Sequence, residues 1–214
     1  MLRLTTLPPP VNNFQRRCID WGSCGICAMA AKNSILLYSI NMTNNLISLL
    51  KVIEFSPCDI FSLKFHNDEP ILAVSRSTGL LVYDCQKGQT RSGLKIEDLP
   101  GNLIQLEWCG DILICLSKRN IILAIKIIPF EHEQTQFSSS SFRRDSYISS
   151  DFPKCRVLWK IEMKGEFNGI SIDHFHRCRI LAYSNNSSIS LYQSDSPQTA
   201  PHFLFSYQFS KPKV

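Results

Sequence analysis

Leu103–Trp108 (LIQLEW), Asp111–Leu116 (DILICL) and Asn120–Lys126 (NIILAIK) follow one another with only Cys109-Gly110 and Ser117-Lys118-Arg119 between them. Each run is short, aliphatic and cut off by turn-forming residues. That pattern reads as three antiparallel strands joined by tight hairpins. No window shows apolar residues sustained at i, i+3, i+4 and i+7, so helical periodicity is missing. The middle run is apolar without alternation, as expected of a strand covered on both faces.

The same three-part grammar recurs on either side. Upstream, Cys18-Ile19-Asp20-Trp21 is followed by GICAMA from Gly25 and SILLYS from Ser34. Next come IFSLKF ending at Phe65, PILAVS from Pro70 and GLLVYD ending at Asp84. Downstream, NGISID ending at Asp173 precedes CRILAYS from Cys178 and SISLYQ from Ser188. Trp21 to Phe65 is 44 residues and Phe65 to Trp108 is 43. Trp108 to Ile172 is 64, the excess being an insertion. Within the repeats, Trp21 to Tyr38 is 17 residues, Phe65 to Tyr83 is 18, Trp108 to Ile125 is 17 and Ile172 to Tyr192 is 20.

A period of about 40–45 residues with several short strands per unit is the pattern of WD40-type β-propeller blades. The fold expected is all-β, with about four blades at roughly 15–56, 57–98, 99–162 and 163–210, after an N-terminal arm at 1–14. Each unit has room for a fourth, outer strand, with candidates at Leu46–Val52, Gln89–Leu94, Arg156–Ile161 and Phe203–Gln208. These are expected to be more polar or irregular, as edge strands are. The blade-signature positions are Trp21, Tyr38, Phe65, Tyr83, Asp84, Trp108 and Tyr192. The Trp-Asp position of the repeat holds Tyr38-Ser39, Tyr83-Asp84, Ile125-Lys126 and Tyr192-Gln193, and the Gly-His element is missing. A β-sandwich is the competing all-β reading, and the fourfold recurrence argues against it. Propellers usually have about 4–8 blades, WD40-type rings mostly at the upper end. Four degenerate repeats therefore predict an incomplete ring with sticky ends.

Residues 130–154 interrupt the third repeat. EHEQTQFSSSSFRRDSYISSDFPK is polar and Ser-rich, too poor in aliphatics to offset its ordering entropy. It is expected to be a disordered surface insertion. Within it, Arg143-Arg144-Asp145-Ser146 resembles a basophilic-kinase acceptor, with Ser146 the candidate phosphosite. A solvated linker is the alternative.

Composition is globular, with 44% hydrophobic and 19% charged residues. The net charge of +5 is modest and its lysines and arginines are scattered, so no nucleic-acid partner is expected. Nine cysteines, several inside apolar runs, predict free thiols in a reducing compartment. MLRLTTLPPP carries no apolar signal-peptide core. The most apolar stretch, Asp111–Phe130, is broken at Ser117-Lys118-Arg119-Asn120, so membrane association is expected to be peripheral.

The chemistry-bearing candidates are few. Cys24-Gly25-Ile26-Cys27 is a CxxC, but it enters a strand and no second pair accompanies it. His174, His176 and Cys178 alternate and are metal-capable, but a fourth ligand is missing. No phosphate-binding glycine loop, G-x-S-x-G or H-E-x-x-H occurs. Asp20, Asp84, Asp111 and Asp173 sit where aspartates bond to backbone. Neither catalytic residues, a metal, a cofactor nor a small-molecule substrate is expected. The partners expected are proteins of a multi-subunit assembly.

Ile19-Asp20-Trp21-Gly22 followed by GICAMAAKNSILLYSI resembles the first blade of several large WD-repeat proteins. With LIQLEW…DILICL…NIILAI, then VLWKIEMKGEFNGISID and RILAYSNNSSISLY, the chain resembles the N-terminal propeller of the WD repeat-containing protein eleven family over roughly residues 18–195. The elongator subunit two family opens similarly and competes. The proteins of the first family are longer, with a second propeller and a C-terminal helical region. That resemblance implies a peripheral, cytoplasmic scaffold in endosome- or vesicle-to-Golgi traffic, linked to cilium assembly and Hedgehog signalling. The competing one implies a scaffold subunit of a nuclear or tRNA-modifying complex.

Overall fold

The computed structural model describes residues 17–41, 43, 46–127, 155–165, 167–173, 179–183 and 188–209. Ser146, the 130–154 insertion and the His174–Cys178 cluster lie outside them, as does the N-terminal arm.

Four four-stranded antiparallel sheets follow one another in the chain. The first holds β1 (Ile19–Trp21), β2 (Ile26–Ala31), β3 (Ser34–Asn41) and β4 (Leu46–Glu54). The second holds β5 (Ile60–Phe65), β6 (Ile71–Arg76), β7 (Gly79–Asp84) and β8 (Gln89–Lys95). The third holds β9 (Leu103–Cys109), β10 (Ile112–Ser117), β11 (Ile121–Lys126) and β12 (Arg156–Glu162). The fourth holds β13 (Gly169–Asp173), β14 (Arg179–Tyr183), β15 (Ser188–Gln193) and β16 (His202–Gln208). Strand order within each sheet is sequence order, so every blade is a simple meander. The first strands neighbour one another in series, β1 with β5, β5 with β9, and β9 with β13.

Strand alternation builds the core. Successive residues of a strand point to opposite faces. In the third blade, Leu113, Cys115, Leu123 and Ile125 face the second blade, where they meet Ile71, Ala73, Leu80 and Val82. The intervening Ile112, Ile114, Ile122 and Ala124 face the fourth blade's Ile170, Ile180, Ala182 and Tyr192. The second blade turns Leu72, Val74, Leu81 and Tyr83 to the first blade's Ala28, Ala30, Ile35 and Leu37. Every residue of β6 and β10 is therefore buried.

Two expectations need correcting. Not every middle strand is covered on both faces: β14 alternates between buried and more exposed residues, whereas β2 and β3 of the first blade bury Ala28 to Ala30 and Ile35 to Tyr38 without a break. Nor are the outer strands uniformly polar. β4 reads LISLLKVIE and β16 reads HFLFSYQ, and both are largely exposed.

Hairpin chemistry is local. Gly79 opens β7 at φ +131, and a Cβ there would stand 2.1 Å from the Leu94 carbonyl oxygen of β8. Only glycine fits that combination. Asp84 closes the same strand by accepting the backbone N–H groups of Gln86 and Lys87 at 3.0 and 2.8 Å, an Asx-type turn.

Candidate interaction surfaces

Trp21, Phe65 and Trp108 occupy one repeated position near the end of the first strand, held by Ile172 in the fourth blade. Phe65 and Trp108 are each 2% exposed there, but Trp21 is 51% exposed. Trp108 lies against the second blade and donates its indole Nε1 hydrogen to the Lys64 carbonyl at 3.1 Å. Phe65 lies against the first blade. Trp21 belongs to the first of the four described blades. Tyr38, Tyr83 and Tyr192 hold the matching position on the third strands, all buried, with Asp84 beside Tyr83 at the Trp-Asp position.

Trp21 is one member of an apolar face whose centre, Met29, Leu36 and Tyr38, is buried and whose edges are exposed. Register places Ile19, Met29, Leu36 and Val52 in one cross-strand row. Trp21, Cys27, Tyr38 and Leu49 form the next. Ile19, Leu49 and Val52 are 59%, 54% and 40% exposed. The fourth blade mirrors this on its far side. Ser171, Leu181, Leu191 and Phe205 form one row and Gly169, Tyr183, Ile189 and Tyr207 the next. Phe205 and Tyr207 are 54% and 58% exposed. The Tyr183 ring takes the space where a Gly169 Cβ would be. Large apolar side chains are thus exposed on both end blades.

The first strands also carry a polar chain. Lys64 on β5 lies 3.8 Å from Asp20 on β1 and 3.4 Å from Glu107 on β9. Asp20 further accepts the Phe65 backbone N–H at 2.6 Å. Burial raises the Asp20 carboxyl above its ordinary value, outweighing the opposing pull of that hydrogen bond and of Lys64. These three residues each precede the repeated aromatic. Sequence reasoning read Asp20 as a local backbone ligand and missed the pairing; that shared place in the repeat was the available signal. Arg17 spans further, donating to the carbonyls of Ile104 and Asn168. Gln105 on β9 exchanges two bonds with the Ile170 backbone, Nε2 to its carbonyl at 2.7 Å and its own Oε1 from the N–H at 2.9 Å.

A rim cavity of about 530 Å³ lies beside the junction of the first two blades, lined by Lys32, Asn33, Pro57, Cys58, Asp59 and Ser77. Next to it Arg76 is 7% exposed, its guanidinium 4.7 Å from the Phe55 ring centroid. Its Nε is buried without a hydrogen-bond partner, so the aromatic face offsets part of its desolvation.

Within the CxxC, Cys24 is exposed and Cys27 half-buried, with burial raising the Cys27 thiol. Among the described residues, no group of three or more His, Cys, Asp or Glu side chains is placed to hold a metal. No helix among them is long and apolar enough to cross a membrane.

No protein-family model matches the sequence, and no curated protein does. Solved structures do. A chain of the Mitotic Checkpoint Complex superposes with a TM-score of 0.64 at 14% identity, over 93% of this chain and 52% of that one. The β-propeller domain of Cps50 (Swd1) from Myceliophteria thermophila gives 0.61 at 13%, over 86% and 55%. The fold is a WD40-type β-propeller. Sqt1 from Chaetomium thermophilum gives 0.58 at 14%, over 86% of this chain and 43% of that one. The chain thus spans about half the length of the propellers it matches. Its four blades form part of a ring, with the Trp21 face at one end and the Tyr183 face at the other.

Proposed function

We propose that this chain is a non-catalytic protein-interaction scaffold. The observation that carries the reading is the set of large apolar side chains exposed on the two end blades, Trp21, Leu49, Phe205 and Tyr207 among them, which water solvates poorly and another protein covers well. The hydrogen-bonding side chains at the blade junctions support it too, since Gln105, Trp108 and Asp20 are engaged with backbone. Sqt1, which shares the fold, has been solved bound to the N-terminus of the ribosomal protein L10.

Within that class, the resemblance carried by Ile19–Gly22 and the blade runs supports a peripheral adaptor. It acts in endosome- or vesicle-to-Golgi traffic with links to cilium assembly and Hedgehog signalling. It works in the cytoplasm at trans-Golgi or vesicle membranes, among the proteins of a multi-subunit assembly. Proximity labelling of the natural gene product with mass spectrometry tests this. Vesicle-tether components and Golgi-proximal puncta are expected. A list dominated by an acetyltransferase complex instead transfers the scaffold to the elongator-like alternative, and a list of neither kind overturns the adaptor reading.

A further inference from the structure

We infer that the rim cavity at the junction of the first two blades binds the C-terminal carboxylate of a partner protein, with Arg76 as the group that receives it. The inference rests on the scaffold reading and deepens it, by giving one partner a recognisable end.

Arg76 closes β6, the middle strand of the second blade. Ser75 before it faces the third blade, where its hydroxyl donates to the Leu103 carbonyl at 2.6 Å. Alternation therefore turns Arg76 to the first blade, against the Phe55 ring. Arg76 is 7% exposed, and its Nε is buried without a hydrogen-bond partner. No carboxylate among the described residues forms an ion pair with it. A guanidinium does not shed its charge when buried. An aromatic face offsets only part of the cost of burying it. An anion that reaches the guanidinium recovers much of the rest, through charge-assisted hydrogen bonds.

The cavity beside Arg76 has braced walls. The Asn33 side-chain amide donates to the Phe55 carbonyl at 2.6 Å, and the Phe55 N–H donates to the Asn33 carbonyl at 3.0 Å. Across the cavity, the Asp59 N–H donates to the Ser77 hydroxyl at 3.1 Å, and the Ser77 N–H to the Asp59 carbonyl at 2.9 Å. These reciprocal pairs fix the connection between the first two blades against the β2–β3 and β6–β7 turns. A site held in shape before binding costs less to order. All of its walls come from two adjoining blades, so it draws nothing from blades before or after them.

Charge selects the ligand. Lys32 and Asp59 line the cavity with opposite signs, which leaves the single positive charge of Arg76. One carboxylate neutralises that charge. A phosphate dianion or a run of acidic side chains brings more negative charge than the site carries, and sets it against Asp59. Size points the same way. About 530 Å³ falls among pockets that hold small ligands, enough for the last residues of a chain but not for a folded surface. The planar guanidinium matches the two oxygens of a terminal carboxylate, and capture of chain ends is a recurring mode of peptide recognition.

A pool of short random peptides passed over the immobilised full chain tests this, offered once with free C-terminal carboxyls and once amidated. The free-acid pool should be retained about 10- to 100-fold better, the scale of hydrogen bonds to a charged group. Arg76→Met keeps a flexible apolar side chain against Phe55 but removes the charge, so it should abolish that preference. Its melting temperature should equal or exceed that of the parent, because replacing an unpaired buried charge with an apolar group does not cost stability. Arg76→Lys keeps the charge without the planar fork and should retain part of the preference. Peptides from the free-acid pool should also slow N-ethylmaleimide labelling of Cys58, in the cavity wall, and leave that of Cys24 unchanged. Equal retention of the two pools, retention of neither, or a preference that survives Arg76→Met overturns the inference. So does selection of internal acidic runs irrespective of the terminal carboxyl, or displacement of the peptides by inorganic phosphate. The scaffold reading fails separately, on the proximity-labelling experiment.

Discussion

Trp108 on β9 donates its indole N–H to the carbonyl oxygen of Lys64 on β5 at 3.1 Å, tying the first strands of two successive blades together. The His66 ring meets the same indole edge-on at 4.9 Å. Trp108→Phe keeps an aromatic in the site but removes the donor. It should cost about 1 kcal/mol, the net worth of one hydrogen bond. Trp108→Ala should cost about 3–5 kcal/mol through the added cavity. Urea unfolding midpoints measure both, and an unchanged midpoint for Trp108→Phe would show that the bond contributes nothing.

Gln105 supplies to Ile170 what a neighbouring strand would, accepting its N–H and donating to its carbonyl across the third junction. Gln105→Leu nearly conserves volume but strands both backbone groups. The expected loss is about 2–6 kcal/mol, from about 1–3 for each buried unsatisfied group. Hydrogen exchange should find the Ile170 amide deprotected. Protection at the wild-type level would mean that the junction rearranges to satisfy it.

Asp20 should make stability depend on pH with a definite sign. Its folded-state pKa is raised, chiefly by burial. The folded chain therefore binds the Asp20 proton more tightly than the unfolded chain does. The stability this adds is complete below the unfolded value and is lost as pH rises through the folded one. Asp20→Asn removes that dependence while keeping an oxygen for the Phe65 N–H. Lys64 retains Glu107 at 3.4 Å. The variant should gain on the parent as pH rises from acidic to neutral. A constant difference across that range, in denaturation at matched ionic strength, would remove the burial argument.

The thiols should react in order of exposure. Cys24 is exposed, Cys115 fully buried and its thiol raised well above the ordinary value, and burial pushes the Cys85 thiol up to about 12. Since the thiolate is the reactive form, iodoacetamide at neutral pH should label Cys24 first. Cys85 and Cys115 should resist until denaturant is added. Peptide mapping reads the order, and early labelling of Cys115 would mean that the second and third blades separate readily.

The strands and their blade membership are legible in the sequence because the information is local. DILICL and PILAVS carry continuous apolar runs, and a period near forty-four residues recurs whichever residue fills each place. The inter-blade polar contacts were not legible. Asp20 and Lys64 are 44 residues apart, and only the stacking of successive blades brings them to 3.8 Å. The Ser146 motif lies outside the described residues.

Sequence alone determined that Trp21 and Trp108 are equivalent. Both end a first strand, each 17 residues before the matching third-strand position. It could not distinguish them, since alternation sets which side chains share a face but not what lies against that face. Only the tertiary structure decided that Trp108 is 2% exposed and Trp21 51%. The reason is the neighbour: Trp108 meets the apolar row and carbonyl of the blade ahead of it, and no blade among the described residues lies ahead of Trp21.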